Sequence, residues 1–159
     1  MITQISPYDF TFNALLPIIL SALLGGLVGT ERERYRKAAG LRTHILVCMG
    51  ACLASLTSIY LCAGAPLASV TRIPAQIVSG VGFLGAGIIL KSGESVTGLT
   101  TAASLWVVAN IGMAVGLGFD LGAVAATFIL LTVLIVLGRI EHANRNNKKP
   151  EIIQEAEKI

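Results

Sequence analysis

The chain has 159 residues, of which 54% are hydrophobic and only 13% are charged. Because a soluble domain carries about 25% charged residues, this composition excludes an ordinary soluble globular protein and indicates a membrane protein. The net charge of +3 is small, and the basic residues lack interleaved aromatic side chains, so we expect no nucleic-acid partner.

Five apolar stretches follow one another along the chain, each of a length suited to a membrane-spanning helix. We predict spans at about residues 12–28, 44–61, 73–90, 100–117 and 121–137. Because no Lys or Arg precedes the first stretch, it lacks the basic region of a signal peptide and is interpreted as a retained span. The prediction is an all-α domain over residues 1–138 with five transmembrane helices. A polar, flexible tail over residues 139–159, which frays after Asn144, is expected to follow.

The lysine and arginine residues divide unevenly between the two sides of this predicted bundle. The connection after the first span holds five and the tail holds five more. The connection after the third span holds Lys91, whereas the opposite side holds Arg72 alone. Because positively charged segments stay in the cytoplasm when a membrane protein inserts, this distribution indicates orientation. We therefore predict that the N-terminus lies outside and the C-terminus lies in the cytoplasm.

The densest charge lies between the first two spans, in the run Glu31-Arg32-Glu33-Arg34. One interpretation is a solvated helix extension with weak local ion pairs. The other is that Glu31 turns into the bundle and pairs with Arg42 at the start of the second span. Both interpretations stay open from the sequence alone.

Two single charges lie on the opposite side of the predicted bundle. Arg72 begins the third span and Asp120 begins the fifth, and each is alone in its connection. They either pair and tie two connections together or are separately solvated.

Small residues recur four positions apart on several predicted spans, which places them on one helix face where backbones can approach closely. The pairs are Gly25 and Gly29, Gly82 and Ala86, and Gly112 and Gly116. This spacing favours either packing within the bundle or a dimer face. The third span is crowded further by Gly80, Gly85 and Gly87, which weaken a helix and indicate a bend, a central position or a break.

Polar residues in the third and fourth spans indicate hydrogen bonds between helices or a polar path near Trp106. They are Gln76, Ser79, Thr100, Thr101, Ser104 and Asn110. No acidic residue lies deep in a predicted span, which disfavours an ion-coupled transporter without excluding one.

No arrangement of residues in the sequence predicts catalysis. A nucleophile with a base, a metal-ligand motif and a phosphate-binding loop are all missing, so we expect no enzymatic activity and no cofactor. His44, Cys48 and Cys52 share a helix face but lack an accompanying carboxylate, so we favour a buried apolar role over a metal site.

Three motifs stand in order along the chain. They are GGLVGTERE at residues 25–33 with AGLRT at 39–43, then RIPAQIVSGVGFLGAG at 72–87, then GLTTAASLW at 98–106. Together they strongly resemble the MgtC/SapB family, and the resemblance covers about residues 12–138. The matching positions are Gly29, Glu31, Arg32, Glu33, Gly40, Leu41, Arg42, Thr43, Gln76, Gly82, Gly85, Gly87, Thr100, Thr101 and Trp106.

The resemblance implies an inner-membrane protein with five spans, linked to survival in low magnesium, to acid stress and to bacterial virulence. Some members are similar to regulators that restrain the membrane ATP synthase. Better-studied members carry a folded cytosolic domain after the last span, whereas a short polar tail follows it here. Either this chain lacks the functions of that domain, or the sequence is a truncated form of a longer protein.

We therefore expect a regulator that forms a homo-oligomer in the lipid bilayer and contacts a larger membrane protein, with the ATP synthase as one candidate. Its cytoplasmic contact or switch is predicted to comprise Glu31, Arg32, Glu33, Arg42 and Thr43. A polar, glycine-rich bundle core is predicted to comprise Gly29, Gln76, Gly82, Gly85, Gly87, Thr100, Thr101, Trp106 and Asn110. The alternatives are a transporter or channel for a small cation such as magnesium, and a module that binds lipid or another anionic ligand.

Overall fold

The computed structural model describes the backbone of residues 7–62, 70–92 and 95–156, and the side chains of residues 13–62, 70–91 and 95–140. Within these ranges the chain forms five helices, which confirms the predicted all-α fold. They are α1 (Pro7–Arg34), α2 (Leu41–Cys62), α3 (Arg72–Ile88), α4 (Leu99–Gly116) and α5 (Asp120–Ala156). The lysine and arginine side chains of the predicted tail that follow Arg139 are not among the described side chains.

Two details of the backbone differ from the sequence prediction. First, the connection between α3 and α4 forms an antiparallel hairpin of β1 (Leu90–Ser92) and β2 (Ser95–Thr97). Second, α5 continues to Ala156 instead of fraying after Asn144. Extending a helix that already exists adds one hydrogen bond per residue and needs no new nucleus, so a polar segment of weak propensity can follow the apolar one.

Four helices within the described residues are long and apolar enough to cross a membrane. They are Asn13–Arg34 within α1, Leu41–Cys62, Leu99–Gly116 and Asp120–Ile140 within α5. Helix α3 has 17 residues. At 1.5 Å per residue it is about 26 Å long, compared with about 30 Å for the hydrocarbon core of a bilayer. The fifth membrane span therefore stays a prediction.

Helix α2 lies at the centre of the bundle and packs against α1, α3 and α4, while α5 packs on α4 and α1. The buried core between these helices includes Val28, Cys48, Cys52, Val108 and Val115. Large apolar side chains on the outer surface suit contact with hydrocarbon; they include Leu16, Leu23, Phe83, Leu121 and Phe128. The bundle therefore presents apolar surface both inside and outside, as a membrane protein requires.

Glycines allow α1 and α4 to approach the backbone of α2. A Cβ atom on Gly25 would lie 2.7 Å from the Cys48 Cβ, and one on Gly29 would lie 2.7 Å from the Leu41 Cα. On α4, a Cβ atom on Gly112 would collide with the Cys48 carbonyl oxygen. The small-residue spacing on α1 and α4 therefore serves packing within the chain.

The glycines of α3 have a different environment. A Cβ atom on Gly80, Gly82 or Gly87 would meet no atom within 4 Å, whereas one on Gly85 would be in ordinary contact with Ala102 of α4. The helix is continuous from Arg72 to Ile88, so the break considered from the sequence is not observed. Most of its glycines face outward.

Substitution of one inward and one outward glycine tests this packing. We expect Gly112→Ala to destabilise the bundle by about 2 kcal/mol, because the added methyl group collides with the α2 backbone. Gly80→Ala is the matched control, and it should leave stability unchanged or raise it by up to about 1 kcal/mol through helix propensity. Unfolding of the purified variants in detergent measures both effects. Equal losses in the two variants would contradict the packing described here.

Candidate functional site at the α1–α2 turn

Helix α1 ends in a hydrogen-bonded turn that has an arginine where glycine is the usual residue. The Arg36 N–H donates to the Glu33 carbonyl at 2.9 Å, and the Lys37 N–H donates to the Arg32 carbonyl at 3.0 Å. Arg36 has a φ of 50°, whereas Gly118, with a φ of 82°, occupies the same position at the end of α4. A residue with a Cβ costs about 1 kcal/mol in this conformation, so Arg36 carries backbone strain.

Glu33 caps the beginning of α2. Its Oε2 accepts the N–H of Leu41 at 2.8 Å. The first N–H groups of a helix have no partner within the helix, and a carboxylate there also interacts favourably with the helix dipole. A Cβ atom on Gly40 would lie 3.0 Å from this Oε2, so the glycine leaves room for the carboxylate. Glu33 thus fixes the connection between the two helices.

Glu31 and Arg32 form a buried ion pair at this end of the bundle. Their exposed fractions are 8% and 3%. The Arg32 Nη2 donates to the Glu31 Oε1 at 2.6 Å, and the Arg32 Nε donates to the Oε2. Of the two interpretations drawn from the sequence, Glu31 does turn into the bundle. The partner considered for it from the sequence is not the one observed, because Arg42 is exposed and the inward position on the first turns of α2 belongs to His44.

His44 links α2 to α4 and is completely buried. Its Nδ1 lies 2.9 Å from the Gly40 carbonyl oxygen, and its Nε2 lies 3.2 Å from the Oγ of Ser104. The Ser104 hydroxyl in turn lies 2.8 Å from the Thr101 carbonyl oxygen. The sequence singled out His44 only for the face it shares with Cys48. Its link to Ser104 depends on the packing of α2 on α4, which leaves no local signal.

Exposed cationic side chains lie in the connection that follows the buried pair. We call the exposed residues of this connection other than Ala38 the turn surface; they are Glu33, Arg34, Tyr35, Arg36, Lys37, Arg42 and Thr43. Four of the seven are lysine or arginine, and the one carboxylate is engaged at the start of α2. The turn surface can therefore bind an acidic or phosphate-bearing group through charge-assisted hydrogen bonds.

The predicted polar and glycine-rich core is only partly buried. Gly29, Gly85 and Thr101 are buried, and Asn110 is half-buried with its Nδ2 donating to the Trp106 carbonyl at 2.7 Å. The other members are exposed; they are Gln76, Gly82, Gly87, Thr100 and Trp106. The buried face of α3 consists of Pro74, Val81 and Gly85. Because of the helical period, the predicted core residues Gln76, Gly82 and Gly87 lie on its other faces and are exposed.

The single charges at the opposite end are not joined. Arg72 and Asp120 are both exposed, and no ion pair between them is present among the described side chains. The described residues also include no group of histidine, cysteine, aspartate or glutamate suited to hold a metal ion.

Long apolar helices packed around α2, with apolar side chains on the outer surface, define an all-helical membrane protein. Residues 18–143 match the model of the MgtC family, and the chain belongs to that family. It is 46% identical over 147 residues to "Protein MgtC" of Salmonella typhi, covering 92% of this chain and 61% of that protein. No solved structure matches the chain.

Two further relatives come from other bacteria. The chain is 43% identical over 129 residues to "Putative magnesium transporter YhiD" of Escherichia coli (strain K12), covering 77% of this chain and 60% of the relative. It is 41% identical over 128 residues to "Protein SapB" of Bacillus subtilis (strain 168), covering 76% and 55%. The matched part of the chain thus corresponds to little more than half the length of these relatives.

The energetics of the buried pair can be measured with a double-mutant cycle. We expect Arg32→Gln to destabilise the protein by about 3 kcal/mol, because it leaves the Glu31 carboxylate buried without a partner. The variant with both Glu31→Gln and Arg32→Gln should lose less than the sum of the single losses. Arg34→Gln is the exposed control and should change the free energy of unfolding by less than about 0.5 kcal/mol. Additive single losses would contradict a direct ion pair.

Replacing the arginine in the left-handed turn tests whether its side chain contributes to stability despite the backbone strain. We expect Arg36→Gly to raise the free energy of unfolding by about 1 kcal/mol, since glycine adopts this conformation without a Cβ clash. Gly118→Ala should lower it by a similar amount at the equivalent position of α4. Unfolding in detergent compares the two, and a destabilised Arg36→Gly variant would show that the arginine side chain itself supports the fold.

Proposed function

We propose that this protein is a non-enzymatic regulator in the bacterial inner membrane, connected with magnesium homeostasis, that acts by contacting a larger membrane protein. Membership of the MgtC family and the printed name of the Escherichia coli relative support the connection with magnesium. The proposed contact is the turn surface, which faces the cytoplasm in the orientation predicted from the lysine and arginine distribution.

The observation that carries this proposal is the rigid support of the turn surface. The Glu33 cap fixes the start of α2, and the buried Glu31–Arg32 pair anchors the end of α1 beneath the exposed cations. Binding groups are most effective when the scaffold holds them in place, because less conformational entropy is lost on binding. The strained Arg36 also fits a surface kept for recognition.

The interior of the bundle favours a regulator over a transporter. Both oxygens of the buried Glu31 carboxylate are engaged by Arg32, so this group is not available to a cation. Along the α2–α4 contact, a Cβ atom on Gly116 would lie 2.5 Å from the Cys52 carbonyl oxygen, which leaves no room for a hydrated ion there. A cation path through an apolar bundle needs free carboxylate or carbonyl groups that line it.

A transporter or channel for a small cation is the second candidate function. The printed name of the Escherichia coli relative favours it. Its path would pass near Asn110, which is the half-buried amide of α4. Magnesium flux into liposomes that contain the purified protein, and that disappears in an Asn110→Ala variant, would support this function and contradict the regulator.

Growth in low magnesium tests the regulator. We expect a variant with both Arg34→Ala and Arg42→Ala to insert and unfold like the parent protein but to lose complementation of a low-magnesium growth defect by at least about tenfold. This expectation follows because the double change removes two of the four exposed cations of the turn surface.

Arg72→Ala is the matched control for this experiment. Arg72 is an exposed arginine at the start of α3, and no ion pair to it is present among the described side chains. The control should complement as well as the parent protein does. Full complementation by the double variant, at normal expression, would remove the turn surface from the function.

A further inference from the structure

The hydrogen atoms around His44 can be assigned from the geometry alone. A backbone carbonyl can only accept a hydrogen bond, so the Nδ1 that lies 2.9 Å from the Gly40 carbonyl oxygen must carry a hydrogen. The Nε2 faces the Ser104 hydroxyl, which can either donate or accept. The state of Nε2 therefore depends on where the single hydroxyl hydrogen of Ser104 points.

Ser104 has two acceptors within reach of that hydrogen. One is the Nε2 of His44 at 3.2 Å, and the other is the carbonyl oxygen of Thr101 at 2.8 Å. When the imidazole is neutral, Ser104 donates to Nε2. When the imidazole is protonated, Nε2 donates to the Ser104 oxygen, and Ser104 donates to Thr101 instead.

We infer that His44 is a built proton-binding site at the junction of α1, α2 and α4. Both protonation states satisfy every polar hydrogen of the imidazole and of the serine hydroxyl, and the change between them needs only the rotation of one hydroxyl. An unpaired buried polar group is costly, and neither protonation state of His44 leaves one. The inference concerns a separate site and holds whether or not the proposed function is correct.

The charges that face His44 come from α1. The Glu31 carboxylate and the Arg32 guanidinium belong to the ion pair at the end of that helix. An imidazolium is repelled by the Arg32 guanidinium and attracted by the Glu31 carboxylate, while its two N–H groups keep their partners Gly40 and Ser104. Proton binding at His44 therefore adds a third charge near a pair whose own two charges already neutralise each other.

The other neighbouring helices bring no described charge close to the imidazole. On α4 the facing groups are the uncharged Ser104 and Thr101, and on α2 itself the buried titratable neighbour is the Cys48 thiol. Helix α3 begins with its exposed Arg72 at the opposite end of the bundle, and α5 packs on α1 and α4 with an exposed Asp120 and Arg139. The Glu31–Arg32 pair thus supplies the described charges that act on the imidazole.

Nitrogen NMR of the purified protein tests this site. The sequence has two histidines, so His142→Gln leaves His44 as the single imidazole signal. The titration runs from about pH 8 to about pH 4. At its high end we expect the neutral form with its hydrogen on Nδ1, and at its low end the doubly protonated form. A neutral form with its hydrogen on Nε2, or no protonation in this range, would overturn the inference.

Two serine variants separate the proton site from general packing. Ser104→Ala removes the partner of Nε2 and should lower the midpoint by about half to one pH unit, because the charged imidazole loses the stronger hydrogen bond. Ser55→Ala is the matched control, since Ser55 is equally buried and donates to the Ala51 carbonyl.

A third variant protects the test against misfolding. Ser104→Thr keeps the hydroxyl group and should keep the parent midpoint. If Ser104→Ala does not fold, the titration midpoint of Ser104→Thr decides. A midpoint equal to that of the parent protein would support the inference. A midpoint equal to that of a histidine in an unstructured peptide, and different from that of the parent protein, would overturn it. Equal midpoints for Ser104→Ala and Ser55→Ala would also overturn it.

Discussion

The close approach of α1 and α4 to the backbone of α2 is the constraint on which the rest of this structure depends. It is possible only because Gly25, Gly29 and Gly112 have no side chain at the points of contact. Between helices in lipid there is little hydrophobic driving force, so van der Waals packing at short distance must supply the attraction. The same approach places His44 of α2 against α4 and brings the end of α1 over the first turns of α2.

The charged end of the bundle is stable because each charge placed near apolar surface has a specific partner. Glu31 and Arg32 neutralise each other inside, and Glu33 is bound to the first N–H of α2. The remaining cations can then stay on the surface, where solvent or a binding partner satisfies them. A surface that carries excess positive charge on a fixed turn is suited to recognition, and this is the physical link from the helix contacts to the proposed regulatory role.

Much of the fold, but less of the site, could be predicted from the sequence. The starts of α3, α4 and α5 each lie one residue from the prediction, because apolar length and flanking polar residues mark helices in a membrane protein. The side of α3 that faces the bundle was not predictable from the sequence. Gln76, Gly80 and Gly87 recur with the same helical spacing as the buried Pro74, Val81 and Gly85, so the pattern does not show which set faces inward. The pairing of Glu31 with Arg32 and the link from His44 to Ser104 depend on how the helices are rotated, and periodicity alone does not give that rotation. The β1–β2 hairpin has strands too short to leave a pattern.

Affinity purification of the tagged protein from native membranes in mild detergent, with mass spectrometry of the proteins that accompany it, tests the central claim most directly. The account predicts a stoichiometric membrane protein that accompanies the parent chain and the Arg72→Ala variant. The same partner should be missing when Arg34 and Arg42 are both replaced by alanine. Recovery of the chain alone as a clean oligomer, together with magnesium flux in liposomes, would contradict the regulatory account and support a transporter.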